Sequence, residues 1–183
     1  MMYPPKYGEE YSWRQRLFYA FIASLVMIAV LAASSFTKIS PEEAESIMKT
    51  AEAIIGPDLS PERIILNNLP IALLMMIPVI GLVIAAFAMY STGLVFAAIA
   101  TTMQTHPALL LIIPFITVYG ILEFLAYGFA VSEGVLIIRQ AFKRRLRNEL
   151  RSVPIIIAVV AALLVAAALL EYALISAFMQ TAA

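Results

Sequence analysis

Apolar residues fill four long stretches of this chain, and three short polar segments separate them. Residues 17–36, 64–105, 107–138 and 153–179 are apolar almost throughout, whereas residues 1–16, 37–63 and 139–151 hold most of the charge. A helix needs about 20 apolar residues to cross a ~30 Å hydrocarbon core. Residues 17–36 meet that length and follow Tyr11 and Trp13, aromatics of the kind that settle at the membrane interface. A cleaved leader would also end on small residues such as Ala32, Ala33 and Ser34, but this apolar run is longer than a leader's core. The expectation is an uncleaved first span.

The segment 37–63 carries six acids and three bases. Within it, Ser40-Pro41-Glu42-Glu43 has the form of a capping box with proline at the first helical position. Ala44, Ile47, Met48, Ala51, Ile54 and Ile55 then recur at helical spacing, which predicts an amphipathic helix ended by Gly56-Pro57. Such a helix rests on the membrane surface or on the protein itself, or offers a face to a partner. Ser60-Pro61-Glu62-Arg63 repeats the start signal and opens the next helix. The following apolar block, 64–105, has 42 residues and is too long for one span. Its most polar point is Met89-Tyr90-Ser91-Thr92-Gly93, which predicts one helix over 64–89, bent at Pro70 and Pro78, and a short one over 92–105. The short piece either spans or is re-entrant, since irregular backbone is tolerated where protein covers it. His106-Pro107 reads as a loop before the block 107–138.

Residues 139–151 contain six of the twelve bases and one acid. Phe142, Leu146 and Leu150 fall four apart there, so a basic helix with an apolar stripe is expected, with Arg139, Lys143, Arg144, Arg145, Arg147 and Arg151 toward lipid headgroups. Positive residues favour the cytoplasmic side. That rule puts 139–151 and the N-terminus in the cytoplasm and 37–63 outside. Three crossings must then separate Arg63 from Arg139, which makes 64–105 a hairpin. The predicted architecture is all-α: a single membrane domain of about five spans, N-terminus in and C-terminus out. It comprises a cytoplasmic segment 1–16, a first span 17–36, an extracytoplasmic helical loop 37–63, three spans within 64–138, a basic connector 139–151 and a last span 152–179.

The 183 residues carry twelve bases and twelve acids, so net charge points to no nucleic-acid partner. There is no cysteine and only one histidine, which excludes thiol chemistry, cysteine metal sites and histidine clusters. No phosphate loop or metal motif appears, and neither cofactor nor metal is expected. The polar groups inside the apolar blocks are the chemical candidates. From Ile64 to Ile138 there is no Lys or Arg, and Glu123 and Glu133 are the only charges. A charged carboxylate near the bilayer centre costs ~2.5–3.5 kcal/mol on insertion scales. On a helical wheel Tyr119, Gly120, Ala126, Tyr127, Ala130, Glu133 and Gly134 share the face of Glu123, and Ile121, Leu125, Phe129 and Leu136 lie opposite. The polar face should pack inward, with Gly120, Ala126, Ala130 and Gly134 allowing close helix approach. Glu123 is then a structural carboxyl bonded to Tyr119, Tyr127 or an asparagine, a proton- or cation-coupled transport site, or a catalytic group. No neighbouring cation is expected for it. Glu133 is expected to pair with Arg139 or Lys143, Asn67-Asn68 to open the second span and bond across helices, and Glu171 to sit near the outer end of the last helix.

An ordered series of these residues resembles the stage II sporulation protein M family of integral membrane proteins. It runs through Asn68 and Gly81, then Tyr90-Ser91-Thr92-Gly93, Pro114, Tyr119-Gly120-Ile121-Leu122-Glu123, Ala126 and Gly134, and closes with Leu170-Glu171-Tyr172. Tyr119 stands where the family usually has His, Thr92 where it has Asn, and Pro114 is displaced from the Gly. The resemblance covers about residues 64–178 and implies five spans. It also implies a membrane scaffold or transport-associated component, since sporulating members act in a complex that remodels the cell wall. The expectation is a non-enzymatic, multi-pass cell-membrane protein, a scaffold or complex component embedded in the lipid bilayer and associating as a homodimer or with other membrane proteins. The alternative is a small proton- or ion-coupled transporter or channel using Glu123.

Overall fold

The computed structural model describes residues 11–55 and 60–182, and every regular element among them is a helix. In chain order these are α1 (Trp13–Ser35), α2 (Pro41–Ile55), α3 (Pro61–Met75), α4 (Ile80–Thr102), α5 (Pro107–Ile116), α6 (Val118–Phe142), α7 (Leu146–Leu150) and α8 (Val153–Ala182). Four of them, α1, α4, α6 and α8, are long and apolar enough to cross a membrane. The start signals act as the sequence predicts. Ser40 and Glu43 close a reciprocal capping box at α2, and Ser60 caps α3 through the Arg63 amide. The predicted stop at Gly56-Pro57 lies outside the described residues.

Helix directions follow from the contacts. Glu133 meets Arg16, while the Phe124 carbonyl accepts a hydrogen bond from Ser24, so α6 runs antiparallel to α1. Asn68 meets Glu123 and Met76 abuts Gly134, so α3 runs with α6. Gly93 packs on Leu31 and Ser34 at the far end of α1, so α4 runs with α1. The chain thus passes through the bundle about five times, with the 15-residue α3 the shortest passage.

Two boundaries differ from the sequence expectation. The hairpin in 64–105 turns at residues 76–79, not near Tyr90, and 92–105 is neither a separate span nor re-entrant: most of it is the second half of α4. Pro78 sits in that corner, where its missing N–H leaves no ladder bond unmade, and Val79 takes a φ of 66°. Asn67 and Asn68 lie midway along α3, not at its start. The block 107–138 is also not one helix, because Thr117 adopts extended backbone between α5 and α6. Both corners share a device. A Cβ on Gly81 would overlap the Met75 carbonyl, and one on Gly120 would overlap the Pro114 carbonyl, so glycine lets each long helix start against the end of the short one.

The polar-face and lipid-face division of α6 holds at Ile121, which is exposed, but not farther along the helix. Its membrane-length window is about two thirds buried, against little more than a quarter for α1, α4 and α8. Phe129 and Leu136, expected toward lipid, are buried together with Ala126 and Ala130. α6 is the central helix, enclosed by α1, α3, α5 and α8. It approaches α1 closely at Gly128, against the Ala20 carbonyl and Ser24 hydroxyl. The connector is also not one continuous helix: α6 ends at Phe142, Arg144 turns the chain with a φ of 57°, and α7 follows.

Candidate functional site: an open cavity and a closed opposite end

A cavity of about 500 Å³ lies in the half of the bundle that holds α2 and the end of α8. Six of the seven polar residues singled out in the sequence line it: Asn67 and Asn68 from α3, Tyr119, Glu123 and Tyr127 from α6, and Glu171 from α8. Arg63 and Asn67 are exposed, Glu123 is partly buried and Tyr127 fully so, which grades the lining from rim to floor. Asn68 Nδ2 donates to Glu123 Oε1 over 2.8 Å. Among the described residues Glu123 has no ion pair, and the Glu171 charge is near enough to repel its own. A basic residue nevertheless shares the cavity: Arg63, which the sequence gave no reason to bring toward Glu123. The α5–α6 corner contributes Pro114 and Tyr119 to the lining. Stacking of Phe115 on Phe124, with centroids 5.7 Å apart, fixes that corner.

Glu133 is not in this cavity and does not pair with Arg139 or Lys143. Its Oε2 accepts from Arg16 Nη1 at 2.5 Å, and Arg16 Nη2 donates to Glu149 Oε1 at 2.7 Å. All three side chains are sealed from solvent, with Arg16 4% and Glu133 1% exposed. Nothing in the local sequence marks Arg16, which lies 117 and 133 positions from its two partners. The triad ties α1, α6 and α7 together and closes the end of the bundle opposite the cavity. Arg139 turns to the N-terminal aromatics instead, donating to the Tyr19 hydroxyl at 3.1 Å and lying 6.0 Å from the Tyr11 ring centroid. Burial pushes the Tyr11 phenol upward from its ordinary pKa, and the Arg139 charge opposes that.

Lys143, Arg144 and Arg147 are exposed around the connector, as are Arg151 and the apolar Phe142, Leu146 and Leu150, while Arg145 is partly buried. His106 caps α5, with Nδ1 accepting from the Ala108 amide. Among the described residues no cluster of His, Asp and Glu could hold a metal.

Long apolar helices around an acidic, carboxamide-lined cavity define a multi-pass membrane protein. The family model described as SpoIIM, stage II sporulation protein M, matches residues 17–176, and the chain belongs to that family. No curated protein and no solved structure matches it.

Proposed function

We propose that this chain is a cell-membrane protein that binds a proton or small cation in the outer cavity and passes it along a route through Glu123. The observation that carries the reading is the asymmetry along α6. Glu123 faces a cavity with a second carboxyl and, among the described residues, no ion pair, whereas the inner end is shut by the buried Arg16 triad. Open on one side and closed on the other is the arrangement that alternating access requires. Intramembrane carboxyls that face a cavity are the usual carriers of protons and ions. The reading includes no catalytic step, because the direct partner of Glu123 is a carboxamide, which neither takes nor gives a proton near neutral pH. The basic connector favours the cytoplasm for the triad end, so the cavity opens outward, with the N-terminus inside and the C-terminus outside.

Reconstituted vesicles test this directly. Proton or monovalent-cation flux should appear with the native chain and vanish with Glu123→Gln. Sidedness is accessible because the chain has no cysteine. Cysteines placed at Lys49 and Lys143 should label from opposite faces of intact cells.

The Asn68–Glu123 hydrogen bond favours a second reading, in which Glu123 is a structural post and the chain acts as a scaffold, as a homodimer or in a membrane complex. Absence of flux, together with a stable oligomer that survives Glu123→Gln, would select it.

A further inference from the structure

A second depression lies on the lipid-facing side of the bundle, away from the acidic cavity. It has a volume of about 290 Å³ and runs between α1, α4 and α6. Its α1 wall extends from Tyr19 to Val30, which at 1.5 Å per residue is about 16 Å. Val26, Leu82, Ala86 and Val135 line it and are all exposed. The groove is apolar except at its inner mouth, where Tyr19 and Arg139 stand. Ser132, the other polar residue in its wall, already donates its hydroxyl to the Phe129 carbonyl.

Arg139 gives the groove a direction. Among the described residues its one hydrogen-bond partner is Tyr19, so most of its five N–H donors meet no acceptor among those residues. Guanidinium forks match phosphate oxygens. An apolar slot with a cation at the interfacial end has the complementarity of an acyl chain below an anionic headgroup. A second copy of this chain would instead bring further apolar helix surface and leave Arg139 unmatched.

We infer that the α1–α4–α6 groove is a binding site for an anionic phospholipid of the connector-side leaflet, with one acyl chain along Val26 and the phosphate on Arg139. The site is independent of the acidic cavity and of any flux through it.

The test uses the full chain with Val26→p-benzoylphenylalanine, reconstituted in vesicles of equal phosphatidylglycerol and phosphatidylcholine and photolysed. Mass analysis should show single-lipid adducts with phosphatidylglycerol favoured about tenfold, because the choline cation of phosphatidylcholine cancels the headgroup charge that Arg139 would meet. Arg139→Gln should erase that preference, and Lys143→Gln, outside the groove, should leave it. Ala86→Phe fills the slot without entering the core and should suppress capture of both lipids. Equal capture of the two lipids, loss of preference with Lys143→Gln as well, or a cross-linked dimer as the main product would each overturn the assignment.

Discussion

Glu123 and Glu133 stand ten residues apart on one helix, about 15 Å along its axis, and their surroundings are opposite. Glu133 is wrapped by protein and held by an arginine that also grips Glu149. Glu123 meets one carboxamide, faces another acid and looks into open space. Two identical side chains on one element have been given different work by what the neighbouring helices bring to them. A buried ion pair holds elements in register, since removing one partner leaves the other charge uncompensated. A carboxyl with only a neutral partner can change its charge without dismantling the bundle. Gly128, midway between them, packs closely on α1 at Ala20 and Ser24.

Substitutions can break this contrast in graded steps. Arg16→Met should have the largest effect, because it strands two buried carboxylates at once. A loss of about 3–5 kcal/mol is expected, read as failure to accumulate or as a collapse of the unfolding midpoint in detergent. Glu133→Gln leaves Arg16 with Glu149 and should cost about 2 kcal/mol in the same unfolding measurement. Gly128→Ala should cost about 1–2 kcal/mol, because its methyl meets the Ala20 backbone, which cannot swing aside as a side chain can. Glu123→Gln should be the mildest, within about 0.5 kcal/mol of the native chain, since the new amide oxygen still accepts from Asn68. A Glu123→Gln variant as unstable as Glu133→Gln would erase the distinction between the two carboxyls.

The sequence reached the all-α class, the first and last spans and the polar set around Glu123, because these depend on apolar run length and helical spacing. The interior corners were misplaced for a physical reason. Tyr90 to Gly93 looked like a break because it is the most polar point of its block. In the fold Gly93 is a packing position that admits Ser34 and Leu31, and Thr92 returns its hydroxyl to the Ala88 carbonyl. The true corner carries the quieter signal of Pro78 followed by Gly81, and the second has Pro114 followed by Gly120. Arg16 was invisible as a buried group because it stands in a polar segment before the first span, where a base usually faces headgroups. Its burial depends on partners more than a hundred residues away. The surroundings of α6 were misjudged similarly: a helical wheel separates faces, but it cannot say that neighbours cover both.

The Arg16 clamp also sets an order of events during synthesis. Arg16 leaves the ribosome before any helix is complete, while Glu133 follows 117 residues later and Glu149 another 16 after that. The inner end therefore cannot close while the earlier helices are being inserted. It shuts fully only when α7 has emerged, with α8 the one helix still to follow. The last tie is thus a late one: a chain that ended before Glu149 would keep the Arg16–Glu133 contact and lack the tie to α7.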